Sequence, residues 1–436
     1  METLNHKAFF WKEFDTNEKP SNPRECQIVF TPKDGGKLLY FLDVNERLIY
    51  NDVNDKKIKV LYGQVSGGKK FTLYTLKFES AKPHFSTNLE ITEVEYSIEY
   101  IFYDGWVDIE NKIQIMHVRY SYLELWFNQL EIKEEFDDNE RTMAGIMIHK
   151  DFLKCSTSKY NVLFGIQNGF SRSSFNNKVV TYETTNSLTI ANKDDLVIDD
   201  ILSLSKTVKS FFELMTFYSE NKIFIEKCHI SQTRKLKDGY AVDEIVYLLF
   251  KQDDYVDEQK MSHIDFLLRY KDIKDDFVQI LNNWIENHKK NENEYNAFCN
   301  VISDKNTKFN IYTHYFQLVS ALEGYYNNNF EEDIEFRKKL NQLIIKSEIK
   351  KLLPLNSSIH QSISNTVYNM RNDLAHSKKV IEINNRVKSS FEYIKIVALL
   401  LMMKDISLNH TQISKHILDY DLNSIIQDLE STFSKT

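Results

Sequence analysis

The sequence predicts an α+β multidomain protein, with an antiparallel β-rich N-terminal domain of sandwich or barrel type and an all-α C-terminal bundle. Three observations predict it. Up to about residue 190, short runs rich in aromatic and β-branched residues alternate apolar with polar positions between turn-forming stretches. Around Asp195 the apolar period lengthens to that of a helix. Residues 306–436 then keep helical spacing throughout.

The strand candidates come in order: Cys26–Phe30, Lys37–Val44, Ile58–Val65, Lys70–Phe78, Glu95–Asp104 and Ile113–Phe127. Turn residues separate them at Pro32–Gly36, Ser66–Gly68 and Tyr103–Gly105. This first domain is assigned residues 1–195. A mixed connecting region, 196–305, opens with a helix carried by Leu196, Ile201, Leu202, Leu204, Val208, Phe211, Phe212 and Leu214. Lys222–Ile230 and Glu244–Phe250 read as two short strands. Helical spacing returns from about Ser262, and the polar stretch His288–Asn296 reads as a loop or an exposed helix turn.

The bundle, 306–436, begins with a stripe of Ile311, Tyr315, Leu318, Val319, Leu322 and Tyr326. A second helix carries Ile334, Leu340, Leu343 and Ile344 and is expected to stop at Pro354. A third runs through residues 359–376, and a fourth holds the apolar run Ile396–Met403. An amphipathic tail follows with Ile413, Ile417, Leu418, Ile425, Leu429 and Phe433.

Composition narrows the function classes. The chain has 436 residues, 42% hydrophobic and 27% charged, which suits packed globular domains rather than disorder. A net charge of -8 argues against a broad nucleic-acid-coating surface. The charge is uneven, however: residues 306–436 carry 16 Lys+Arg against 14 Asp+Glu, so the bundle is the better place for a polyanion. Cys26, Cys155, Cys228 and Cys299 lie far apart without CxxC spacing. That fits a reducing cytoplasm and offers neither a disulfide framework nor a thiolate zinc site. No metal or cofactor is expected. The N-terminal METLNHKAFFWKEFD lacks a signal-peptide layout. Ile396–Met403, bounded by Lys395 and Lys404, is too short to span a bilayer, so no membrane partner is expected.

One motif carries chemistry. In the third bundle helix, Ile359, Ile363, Val367, Met370 and Leu374 fall within about 80° of one another and form a core stripe. Arg371, Asn372 and His376, in the stretch RNDLAH, point away from that stripe. Asn372 and His376 are i, i+4 neighbours. Arg371 and His376 stand about 140° apart around the axis, so two copies meeting face to face would concentrate them better than one. The residue types suit metal-independent RNA cleavage. A histidine near neutrality can take the proton of a ribose 2′-OH, and a guanidinium can hold the phosphate as charge grows on it. The expected product is a 2′,3′-cyclic phosphate, and DNA is spared because it lacks the hydroxyl. The same three residues on a solvated helix face need no function, so the spacing alone is weak.

The RN-x-LAH form within a helical bundle resembles the R-x(4–6)-H signature of HEPN domains. Upstream, HYFQLVSALEGYY, with Ala321-Leu322-Glu323, resembles the first helix of the ApeA-like HEPN group. LYGQVSGGKKFTLYTL and YSYLELWF resemble the domain that precedes it in ApeA proteins, so the likeness covers most of the chain. This resemblance implies an anti-phage protein that acts through a HEPN ribonuclease and dimerises through its helices. It carries Arg371 and His376 onto the two signature positions and Asn372 onto the polar residue that often follows the arginine. Glu323 falls where a further polar site residue often stands; a plain helix-surface ion pair is the competing reading. The expected partners are an RNA substrate, tRNA being plausible because its loops expose strained single-stranded phosphates, a second copy of the chain, and a phage-derived trigger at the β domain. The alternative function is a non-enzymatic dimeric protein that binds a ligand or RNA.

Other candidates carry less. Gly63–Lys69, GQVSGGK, fits G-x4-G-K, but Lys70 replaces the Ser or Thr and a strand follows, so a hairpin turn is expected. Cys228-His229 has no partner pair for a metal. His314 sits on the first bundle helix, and His410 and His416 show no ligand spacing. Glu134–Glu140 and Glu331–Asp333 read as solvated loops or helix starts.

Overall fold

The computed structural model describes residues 3–12, 23–43, 57–86, 89–107, 115–127, 131–136, 142–147, 153–156, 160–172, 180–192, 198–215, 223–235, 241–252, 255, 268–303, 307–330, 334–376, 384–408, 413 and 422–434. The chain divides into two units. The first comprises Met1–Ser205 and Ile223–Lys260, and the second Lys206–Lys222 and Met261–Thr436. The expected connecting region 196–305 is therefore shared out between them.

The first unit is β-rich. Its first six strands are β1 (Leu4–Trp11), β2 (Arg24–Thr31), β3 (Gly35–Asp43), β4 (Lys57–Val65), β5 (Lys70–Ser86) and β6 (Leu89–Tyr103). They pair antiparallel in a ring: β1 with β2, β2 with β3, β3 with β6, β6 with β5, β5 with β4, and β4 back to β1. The sandwich-or-barrel expectation thus resolves to a closed barrel. Strand alternation turns Leu4, Ala8, Phe10, Ile28, Phe30, Leu38, Leu61, Leu73, Val94 and Tyr96 into one apolar core.

A second set of strands continues from β6. These are β7 (Ile115–Tyr120), β10 (Leu153–Ser156), β11 (Tyr160–Arg172), β12 (Val180–Asn192), β13 (Ile225–Lys235) and β14 (Ala241–Phe250), with β8 (Glu131–Phe136) and β9 (Thr142–Met147) forming a separate hairpin. The order from the far edge is β10-β11-β12-β7-β13-β14-β6. One edge of β6 is divided: Ile91–Ile98 pair with β3, and Tyr100–Tyr103 pair with β14.

Two sequence readings change here. The run to Phe127 is not all strand: β7 ends at Tyr120, Tyr122 has φ 63, and Leu123–Phe127 form a short helix, α1. Left-handed Tyr122 turns the chain between β7 and this helix, a turn that the aromatic content of the run does not announce. Part of Glu134–Glu140 belongs to β8 rather than to a loop. Glu331–Asp333, His410, His416, Ile417 and Leu418 lie outside the described residues.

Gly63–Lys69 is the β4–β5 hairpin, as expected. Lys69 Nζ lies 3.4 Å from the Asp104 carboxylate, and Lys70 Nζ sits 4.1 Å from the Trp106 ring centre. Gly63 is needed for close approach: a Cβ there would lie 2.0 Å from the Phe71 ring and 2.5 Å from the Phe9 carbonyl oxygen.

A helix, α2 (Ile198–Met215), links the units in sequence. The second unit continues with α3 (Tyr270–Ile273), α4 (Phe277–Lys290), α5 (Glu292–Ser303), α6 (Thr307–Asn329), α7 (Phe336–Lys346), α8 (Ile349–Leu352), α9 (Ser357–Ala375), α10 (Asn385–Asp405) and α11 (Leu422–Phe433). All six residues of the expected α6 stripe are buried. α10 is capped by the Asn384 side chain and is the central helix: Ile394 and every residue from Ile396 to Met403 are buried. α7 breaks before Pro354. Ser347 and Glu348 turn the chain, with Glu348 at φ 55, and α8 is a single turn.

The polar stretch His288–Asn296 proves to be a tight junction. α4 and α5 are separated by Asn291 alone, and His288, Asn291 and Tyr295 are buried rather than exposed. The Asn329 amide donates to Asn291 Oδ1 at 2.9 Å. Tyr295 and Tyr325 both donate to the Asp405 carboxylate, the latter at 2.8 Å to Oδ2, and Asn287 Nδ2 donates to the Asp405 carbonyl at 3.0 Å. Burial raises the Asp405 carboxyl above its ordinary range, while the two phenol hydrogen bonds pull it back.

Asp405→Ala would strip two buried hydroxyls of their acceptor. It is expected to destabilise the helical unit by about 2 kcal/mol or more, with Asp405→Asn milder because one acceptor oxygen remains. Denaturant titration of the full chain followed by circular dichroism at helix wavelengths measures both.

Candidate active site

The RNDLAH stretch ends α9. Asn356 caps the start of that helix by accepting from the Ser358 N–H, and Ile359, Ile363, Val367 and Met370 bury its core face. His376 is the C-cap: its φ is -104 and ψ 7, yet its N–H still bonds the Asn372 carbonyl at 3.1 Å. The helical geometry therefore persists as far as His376, whose side chain is exposed.

Arg371 and Asn372 are half-buried. The Arg371 guanidinium makes three contacts. Nη2 lies 3.2 Å from Glu323 Oε2 on α6, Nη1 donates to Asn372 Oδ1 at 3.4 Å, and the group stands 5.6 Å from the Phe336 ring centre at the start of α7. The two charged side chains are 32% and 27% exposed, so water reaches the pair. The structure thus brings together Arg371, Asn372 and Glu323, with His376 at the C-cap of the same helix. Glu323 is an ion-pair partner, and its partner is the motif arginine itself. His314 lies half-buried on α6.

Leu374 is only half-buried, unlike the rest of its expected core stripe. It lines an open groove of ≈ 690 Å³ with Ala297 of α5 and Tyr312, Phe316, Gln317 and Ala321 of α6. Phe316 is 42% exposed. The α5 side of this groove went unread in the sequence, because α5 fell in the connecting region. Tyr312 and Phe316, lying off the α6 core stripe, were the available signal.

Cys228 and His229 do not act together. Strand alternation buries Cys228 and turns His229 to the other face of β13, where its ring stacks on His117 with centroids 4.6 Å apart. Burial, with smaller effects from His117 and Lys227, pushes His229 down to about 4. Burial also lowers His117, whose Nδ1 lies 2.9 Å from Thr189 Oγ1. Among the described residues, no group of three or more His, Cys, Asp or Glu side chains is placed to hold a metal ion, and no helix is long and apolar enough to cross a membrane.

The model of the ApeA N-terminal domain 1 family matches residues 5–284, more than half of the chain. The chain belongs to the ApeA family. That family is one of anti-phage defence proteins. The match covers the β-rich unit from residue 5 onward and ends within α4, before α9 and the RNDLAH stretch. Neither the curated proteins nor the solved structures gave a match.

Two outcomes follow. Glu323→Gln is expected to change stability by less than about 1 kcal/mol, since a partly hydrated ion pair contributes little; the thermal midpoint of the full chain reports it. For His229, the unfolded imidazole protonates near 6.5 and the folded one only near 4. Folding stability is therefore lost as pH falls through that window. The unfolding midpoint should decline between those pH values, and His229→Gln should flatten the decline.

Proposed function

We propose that the helical unit of this ApeA-family protein is a metal-independent HEPN-type endoribonuclease acting in phage defence in the cytoplasm. The observation that carries the reading is Arg371, held half-exposed on α9 by Glu323 of α6, with His376 exposed five residues further on. A guanidinium held by one carboxylate and still about a third exposed has more N–H donors than that pair uses, which suits a phosphate.

In this mechanism the ribose 2′-OH attacks the adjacent phosphorus. His376 takes the hydroxyl proton, Arg371 holds the phosphate as negative charge builds on its oxygens, and Asn372 orients the groups beside it. The bond to the 5′ oxygen breaks, that oxygen takes up a proton, and a 2′,3′-cyclic phosphate remains. A second copy would supply the other histidine for the leaving group. The groove beside Leu374, with exposed Phe316, suits such a homodimer, since an open apolar surface next to a site favours a partner. Structured single-stranded loops such as those of tRNA are the favoured substrates, and the β-rich unit is the natural receiver of a phage-derived trigger that restrains or releases the nuclease.

The Arg371–Glu323 pair also favours a second reading, a non-enzymatic dimeric binding protein in which Glu323 simply neutralises the arginine. Cleavage separates the two. Purified protein should cut RNA in EDTA and leave 2′,3′-cyclic ends. His376→Ala and Arg371→Ala should each lower the rate by about 100-fold or more without changing the circular dichroism spectrum. Full activity in both variants would remove these residues from the site.

A further inference from the structure

The exposed face of α9 extends the site well beyond RNDLAH. Gln361, Asn365, Tyr368, Asn372 and His376 fall within about 80° around the helix axis and run roughly 22 Å along it. None of the five is buried, and no Asp or Glu interrupts the stripe. The first three side chains are already linked. Gln361 Nε2 donates to Asn365 Oδ1 at 3.3 Å, the Arg337 guanidinium of α7 donates to the same oxygen, and Arg337 stands 5.7 Å from the Tyr368 ring centre. The Tyr368 hydroxyl donates to Glu335 Oε1 at 3.2 Å, which fixes the ring from its far end. Arg337 and Arg371 thus flank one row of amides and a phenol that ends at His376.

We propose that this stripe is a single-stranded RNA track. It receives the nucleotides on one side of the scissile phosphate, running from His376 back toward the start of α9. The inference rests on the ribonuclease reading above. Tyr368 offers a ring on which a base stacks, a contact that tolerates any sequence. Amide side chains present both donors and acceptors to base edges and sugar hydroxyls. Arg337 meets the backbone phosphate beside the stacked base, as Arg371 meets the one being cut. A row of neutral hydrogen-bonding groups flanked by two guanidiniums is complementary to a polyanion that carries its own donors and acceptors. It also places the local attraction for RNA on a chain that is acidic as a whole.

The test uses the full-length chain with His376→Ala, which binds without cutting, and a long single-stranded RNA oligonucleotide. Adding Tyr368→Ala or Arg337→Ala should weaken binding about tenfold. Tyr368→Phe, which keeps the ring, should bind as the parent does. The Arg337 change should also make the dependence of log Kd on log salt shallower by about 0.7, the loss of one phosphate contact. In the cleaving protein the same changes should raise KM for the long RNA and leave a dinucleotide substrate untouched. Unchanged Kd in both alanine variants would overturn the track. So would equal losses on the dinucleotide, which would place these residues at the scissile bond instead. A wild-type protein that cuts no RNA would overturn the ribonuclease reading itself, a different result from either.

Discussion

The helical unit depends on how α10 is buried. A helix whose residues from Ile396 to Met403 are all excluded from water has no free face, so every neighbour must pack against it. Its C-terminal end is then the costly part, because Asp405 brings a carboxylate to the margin of an apolar core. Two tyrosines and an asparagine from α4, α5 and α6 converge there to satisfy it. Those bonds fix α6 against α10, while His360 Nδ1 and the Tyr393 hydroxyl, 2.7 Å apart, tie α9 to the same helix. Glu323 and Arg371 meet because both of their helices are referenced to one buried axis.

That origin explains the character of the site. Neither side chain is deeply buried, and their pair is too hydrated to hold the fold together. Its role is orientation. The guanidinium is caught between a carboxylate, an amide and a phenyl ring, and its direction is set by three different elements. On one side of Arg371 lies the apolar groove with Leu374 and Phe316, and on the other the amide stripe of α9. The arginine stands at the boundary between an apolar surface and a polar one.

Much of this was legible in the sequence because periodicity is a local property. The α6 stripe and the α9 core face follow from 100° per residue, and the structure keeps both, the α9 face as far as Met370. What failed were readings that depend on long-range pairing. β13 and β14 read as strands, but nothing local says that they join the sheet through β7 and β6, so the boundary at residue 195 cut through that sheet. The junction at Asn291 read as exposed because its residues are polar, whereas partners far along the chain bury and bond them. Pro354 was a sound stop signal, but Glu348 adopts a left-handed conformation earlier, which its residue type does not announce.

The divided edge of β6 has a consequence for how the β-rich unit opens. That strand is paired along one side with β5, and along the other first with β3 and then with β14. It belongs at once to the closed ring and to the open sheet. Neither part can fray away from it alone, because peeling one partner leaves β6 anchored by the others. Its amides should be among the slowest in the unit to exchange with deuterated solvent, governed by global rather than local opening. Among the described strands β10 is the far edge, paired with β11 alone, and exchange is expected to begin there.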